Sequence, residues 1–293
     1  MGMNPTIAAA LAQVRPLAAD LKVRDIEVQG AETPLAARVY AVGAAGVKRD
    51  TLMVFFHSGG FVGGDLEGAD IFLRHQATDS PGVVILASSY TLASVRPFPA
   101  AVEDAHAVLL WAKKHKAKLG WNGKYLLVAG IEAGANLAAV CTLMARDRGG
   151  PPLAGQILIM PMLDPGLTSC SMRELPQAIE MVEVADACAA GYRGYLPNAA
   201  DRTHPYASPL QSSRLKNLPP ALIMSAEDDP LRDEAEQYGA KLIACGTKTT
   251  VSRLPPAPLH ETDGRYECAC KVVALGEIAS FIAGLDRSET PPA

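Results

Sequence analysis

The sequence predicts an α/β fold, a doubly wound and mostly parallel sheet with leading antiparallel strands. Three observations predict it. Five short runs, at 51–56 (TLMVFF), 83–87 (VVILA), 125–129 (YLLVA), 156–160 (QILIM) and 221–225 (ALIMS), are apolar almost without interruption. Strands buried on both faces read this way, because helices cover each side of a parallel sheet. Between those runs lie segments with apolar residues at three- and four-residue spacing, the mark of amphipathic helices. Ahead of both, β-branched alternation at 23–28 and 36–42 surrounds a turn containing Gly and Pro, which predicts an antiparallel hairpin.

In chain order, residues 5–22 predict an amphipathic helix ended near Pro16, and the hairpin follows. The first buried strand is 51–56. Helical spacing then predicts helices over 70–78, 100–118, 136–146 and 233–244, each between two apolar runs. Residues 249–254 read as a last strand and 272–283 as a final helix. From 165 to 218 the alternation stops, and a stretch this long is a lid over the sheet rather than a connector. With 1–22 it forms the expected cap elements of one domain spanning 1–293. In such sheets a site lies outside the carboxyl ends of the strands.

Composition excludes several functions. The 293 residues carry a net charge of −4, with 20% charged and 49% hydrophobic residues, ordinary for a globular protein. No Lys/Arg cluster offers a nucleic-acid surface. No run of about 18 apolar residues predicts a membrane span, and no signal peptide is evident. The expected location is cytoplasmic, and the expected partner a small molecule, with a homodimer possible and neither nucleic acid nor membrane involved. Cys141, Cys170, Cys188, Cys245, Cys268 and Cys270 match neither a disulfide framework nor a paired zinc motif. Cys268 and Cys270, near His260, Glu261 and Asp263, fit no standard ligand spacing. No metal and no cofactor is expected.

Four motifs sit at the ends of predicted strands. HSGGFVGG at 57–64 follows the first buried strand. Its glycines allow a sharp turn that aims backbone N–H groups at a developing oxyanion; Gly59 and Gly60, with His57 and Phe61 beside them, are the candidate residues. GIEAGANLA at 130–138 follows 125–129 and opens a helix, placing Glu132 at a strand-to-helix turn with Ala133 next to it. AEDDPLRDE at 226–234 follows 221–225, and His260 comes 31 residues after Asp229. SYTLASVRPFPAAVED at 89–104 follows 83–87.

Together these resemble the hormone-sensitive-lipase/bacterial acetyl-esterase family of the α/β-hydrolase fold, over roughly residues 50–285. The first motif resembles that family's HGGG oxyanion loop, and the second its G-x-S-x-G nucleophile elbow. The resemblance implies a sheet with a helical lid, and a triad at positions 132, 229 and 260. At the elbow the serine of the family pattern is Glu132. The 89–104 stretch is similar to DYRLAPE…PFPAAVEDA, with the Asp, Arg, Pro and Glu of its first half gone. In the family that half braces the oxyanion loop.

Glutamate cannot supply the alkoxide-like oxygen of serine hydrolysis. Attack on an ester would give an anhydride and would have to expel a far more basic alkoxide. Three roles stay open: a carboxylate nucleophile on an alkyl carbon, whose ester is cleaved by water activated by His260; a general base tuned by Asp229 and His260; or a salt-bridge partner closing a dead site. The first two make the chain an enzyme with altered chemistry (hydrolase, lyase or isomerase) on a small apolar substrate. The last makes it a non-catalytic ligand-binding protein. Free oxyanion N–H groups and a carboxylate about 3 Å from His260 would favour catalysis, and a carboxylate plugging the oxyanion hole a dead site.

Overall fold

Eight strands form one sheet in the order β1-β2-β4-β3-β5-β6-β7-β8. They are β1 (Leu21–Gln29), β2 (Pro34–Val42), β3 (Thr51–Phe56), β4 (Val83–Ser88), β5 (Tyr125–Ile131), β6 (Gly155–Ile159), β7 (Ala221–Ala226) and β8 (Thr249–Leu254). The computed structural model describes residues 15–43, 46, 48–174, 179–255 and 269–285. β1 pairs antiparallel with β2 and β2 antiparallel with β4, while every pair from β4 to β8 is parallel. Strands β3 to β7 are buried at every position, which is why their sequences run apolar rather than alternate.

The helices are α1 (Asp70–Asp79), α2 (Ala100–Lys114), α3 (Lys116–Leu119), α4 (Ala133–Asp147), α5 (Cys170–Glu174), α6 (Ile179–Tyr195), α7 (Arg232–Ala244) and α8 (Ala269–Gly284). Two apolar clusters lie on opposite sides of the sheet. One takes Leu73 of α1 and Ile278 of α8 with Met53, Ile85 and Leu127. The other takes Leu109 of α2, Leu137 of α4 and Tyr238 of α7 with Val54, Leu86 and Val128. Neighbouring residues of one strand feed the two clusters in turn, as the two-residue period of a strand requires.

Two expected elements differ. Of the helix predicted over 5–22, residues 15–22 are described and are not helical: Leu21 N–H donates to Ala18 O in a turn, and Leu21 opens β1 opposite Val42. Pro16 and pairing with β2 override the helical spacing. The helix predicted over 100–118 ends at Lys114, restarts for four residues, and stops at Gly120, whose φ of 73° a side chain would resist. Within 165–218, α5, α6 and two 3-10 turns replace the strand–helix alternation. Met172, Cys188, Tyr192 and Tyr195 from this stretch join the α2–α4 cluster. Among the described residues no helix is long and apolar enough to cross a membrane.

Candidate active site

The register of the sheet brings the first two motifs together. β3 and β5 are adjacent and parallel, with Phe56 opposite Gly130, so the loop after one strand emerges beside the turn after the other. The contact is tighter than pairing alone. A Cβ built on Gly134 would lie 2.1 Å from Phe56 O and 2.5 Å from His57 O, and one on Gly130 would lie 2.2 Å from Gly134 O. Both glycines are there because backbone meets backbone, whatever chemistry the site performs.

That crowding forces the residue between them into an unusual conformation. Glu132 has φ 56° and ψ −112°, a sparsely populated region that costs a side-chain-bearing residue about 1–3 kcal/mol. Three hydrogen bonds hold it there. Glu132 N–H donates to Ile159 O at 2.9 Å, and Glu132 O accepts from Asn136 N at 3.1 Å and Met162 N at 3.2 Å. Helix α4 therefore begins at Ala133, three residues before the expected start.

The Glu132 carboxylate lies in the turn after β3. Its Oε2 accepts hydrogen bonds from Gly59 N at 2.8 Å and Gly60 N at 3.2 Å. Both of these bonds are to Oε2, and the residue as a whole is half-buried. The N-terminus of α4 adds a favourable field for the negative charge. Of the candidate oxyanion residues, Gly59 and Gly60 are the donors. Ala133 is fully buried at the start of α4 and makes no hydrogen bond to the carboxylate.

His57 and Phe61 do not touch the carboxylate; they hold the loop. His57 is 3% exposed, stacks on Tyr90 with centroids 4.4 Å apart, and donates from Nδ1 to Ser58 O at 2.7 Å. Burial pushes its imidazolium below the usual range, against smaller opposing effects of Ser58 O and Asp65, so the ring is neutral at pH 7. Phe61, at φ 67°, stacks on Tyr195 at 3.8 Å. The backbone of α6 also packs here, for a Cβ on Gly191 would lie 2.5 Å from Gly60 O.

The stretch after β4 braces the loop, with groups the sequence did not single out. Tyr90 Oη donates to His57 O at 3.1 Å and Ala93 N–H to Phe61 O at 2.8 Å. Burial, and then the negative Glu132, keeps the Tyr90 phenol un-ionised. Asp104 fastens the stretch by accepting from Thr91 N at 2.9 Å and Ala31 N at 2.8 Å. Tyr90 and Ala93, both kept from the first half of the DYRLAPE pattern, supply this brace through a phenol and a backbone amide.

Asp229 stands just past the end of β7. It is 1% exposed, and its Oδ1 accepts from Leu231 N at 2.8 Å. His260 lies outside the described residues, as do Glu261, Asp263 and Cys268. Among the described residues no cluster of three His, Cys, Asp or Glu could hold a metal ion, and Cys141, Cys170 and Cys245 carry free thiols.

Two further residues shape the floor. Asn136 is fully buried and donates from Nδ2 to Met162 O at 2.7 Å and Ala207 O at 3.2 Å. It ties the elbow to the loop after β6 and to the 165–218 stretch. Glu234, buried on α7, accepts from Leu163 N at 2.8 Å. Burial pushes its carboxyl well above the usual range, partly offset by that N–H, with Asp164 and Asp229 pushing further upward. Neither role is visible in local spacing, since the partners lie 26 to 71 residues away.

Residues 53–260 match the family model of the alpha/beta hydrolase fold. Esterase LipI of Mycobacterium tuberculosis is 34% identical over 242 residues, covering 81% of this chain and 74% of the relative. Solved structures agree. A hyperthermophilic esterase from the archaeon Pyrobaculum calidifontis superposes with a TM-score of 0.82 at 36% identity, over 94% of this chain and 90% of that one. A thermostable esterase from Pseudomonas putida ECU1011 gives 0.82 at 29% identity, over 96% and 88%.

Proposed function

The chain belongs to the alpha/beta hydrolase fold family, and from that premise we propose that it is a hydrolase whose nucleophile is the Glu132 carboxylate, standing where relatives of this pattern carry serine. The target is an alkyl carbon bearing a leaving group on a small, largely apolar substrate. One observation carries the reading: Gly59 N and Gly60 N both donate to Oε2, which leaves Oε1 as the oxygen to attack. A carboxylate in the oxyanion hole is the arrangement expected of a dead site; the nucleophile reading stands beside it because displacement at a saturated carbon uses Oε1 and leaves Oε2 on its two amides.

In the first step Oε1 attacks the alkyl carbon, the C–O bond forms, and the leaving group departs with its electron pair. Displacement at a saturated carbon needs a fixed carboxylate and no oxyanion hole. In the resulting glutamyl ester Oε2 is the carbonyl oxygen, already hydrogen-bonded to Gly59 and Gly60. In the second step His260, which the resemblance pairs with Asp229, takes a proton from water, and the hydroxide adds to Cδ. Negative charge then develops on Oε2, where removing one such donor typically costs about 10²–10³ in rate. Collapse breaks the Cδ–Oε1 bond, His260 returns the proton to the departing alkoxide, and the carboxyl left behind releases its own proton to solvent, restoring the carboxylate with one oxygen from water.

Intact-protein mass spectrometry with alkyl halides, epoxides, activated esters and lactones tests this. An adduct on Glu132 should accumulate in His260→Ala and turn over in the unaltered chain. A single turnover in H₂¹⁸O should leave the heavy isotope in Glu132 and not in the product alcohol. If no electrophile forms an adduct in either protein, the nucleophile is refuted, which leaves a general base and, with more weight, the second reading. That reading is a non-catalytic ligand-binding protein, in which the same filled oxyanion hole is a permanently closed one.

A further inference from the structure

A cavity of about 390 Å³ lies against His57, Tyr90 and the β1–β2 hairpin, and its lining does not include Glu132. This is within the size range of small-molecule pockets. Its walls are apolar, from Ile26, Ala37, Leu66 and Leu92, and the small side chains of Ala37 and Ser89 leave the space open. Two features give it chemical character.

The first is His57. Its Nδ1 faces the Ser58 carbonyl at 2.7 Å, and a carbonyl only accepts, so the proton is on Nδ1 and Nε2 presents a lone pair. The residue is 97% buried and lines the cavity, and the hydrogen bond found for its ring is at Nδ1. A lone pair at a cavity wall takes a donor from water or from a ligand. The second is charge. Asp25, Asp65 and Glu67 line the cavity against one cation, Arg38. That guanidinium is already divided among Asp25 at 2.6 Å, Glu67 at 2.7 Å and Asp70 at 3.0 Å. The rim keeps an excess of negative charge.

We infer that this cavity is a binding site for a small organic amine, whose ammonium faces the carboxylate rim and the His57 Nε2 while its apolar body packs on Ile26, Leu66 and Leu92. The site is independent of the chemistry proposed at Glu132. A neutral alcohol of the same shape could satisfy only the first feature, and an anion neither.

Calorimetric titration of the full chain tests it, using butylammonium, cyclohexylammonium and benzylammonium against the matching alcohols and carboxylates. The amines should bind saturably, at least about tenfold tighter than the alcohols, the value of one favourable charge contact, and more weakly as salt is raised. Asp25→Asn combined with Glu67→Gln, both on exposed side chains, should remove that preference. Leu92→Trp should fill the space and abolish binding, and Glu132→Gln should leave it unchanged. Absence of saturable binding, equal affinity for alcohols, or loss in Glu132→Gln with retention in Leu92→Trp would each overturn the assignment. The last outcome would move the ligand to the elbow.

Discussion

Replacing Glu132 by Ala and by Gly separates two opposed contributions at the elbow. The alanine variant loses both hydrogen bonds from Gly59 N and Gly60 N to Oε2. A hydrogen bond to a charged group contributes about 1.5–3 kcal/mol net. Because Glu132 is only half-buried, water can reach the freed N–H groups and recover part of this, leaving an expected loss of about 2 kcal/mol. The alanine keeps its Cβ, and so keeps the strain of φ 56° and ψ −112°. The glycine variant loses the same bonds but sheds that strain, about 1–3 kcal/mol, and should be about as stable as the unaltered chain. Urea unfolding of the three proteins, followed by circular dichroism, reads the series. An alanine variant as stable as the parent would show that the carboxylate does not dwell in the hole. A glycine variant no better than alanine would show that the elbow is unstrained.

Other outcomes follow from the same contacts. Gly134→Ala places a methyl 2.1 Å from Phe56 O and should destabilise by about 3 kcal/mol, seen as a lowered urea midpoint. Gly191→Ala pushes α6 against Gly60 O and should slow adduct formation on Glu132 more than it lowers stability, read by time-resolved mass spectrometry. Asn136→Ala leaves Met162 O and Ala207 O without their shared donor and should cost about 2 kcal/mol. Burial raises the carboxyl pKa of Glu234 in the folded state, so between the unfolded and folded values the folded state binds the extra proton, and the stabilising effect is complete below the unfolded pKa of about 4.3. That contribution falls as pH rises from there through the raised folded value. The stability difference between the parent and Glu234→Gln should therefore shift against the parent from pH 4 to pH 8, and a flat difference would refute the assignment.

Much of the fold could be read from patterning, because strands buried on both faces leave an unmistakable apolar run. The strand at Thr249–Leu254 matched its expected bounds, and β3, β4, β5 and β7 lay within a residue or two of theirs. Local spacing misled at Leu21 and Lys22, where pairing to Val42 and Ala41 decides the structure, and at His115, where a helix written as continuous breaks. The motifs located Gly59, Gly60, Glu132 and Asp229. They could not show that Oε2 rests on two amides, since that depends on Phe56 lying opposite Gly130 in the sheet, which brings Gly59 to a residue 73 positions away in the chain. Tyr90 and Ala93 were hidden for a related reason: their part is played through one hydroxyl and one backbone N–H, which no composition marks.

The interlocked backbones of Gly130 and Gly134 have a further consequence. The bend at the elbow is fixed by main-chain contacts to Phe56, His57 and Ile159, none of which depends on the side chain at 132. The scaffold thus behaves as a socket: it presents whatever is mounted there at one place and angle, against the same pair of amides. A change of reagent at that position leaves the fold intact, so that architecture and chemistry can be inherited separately.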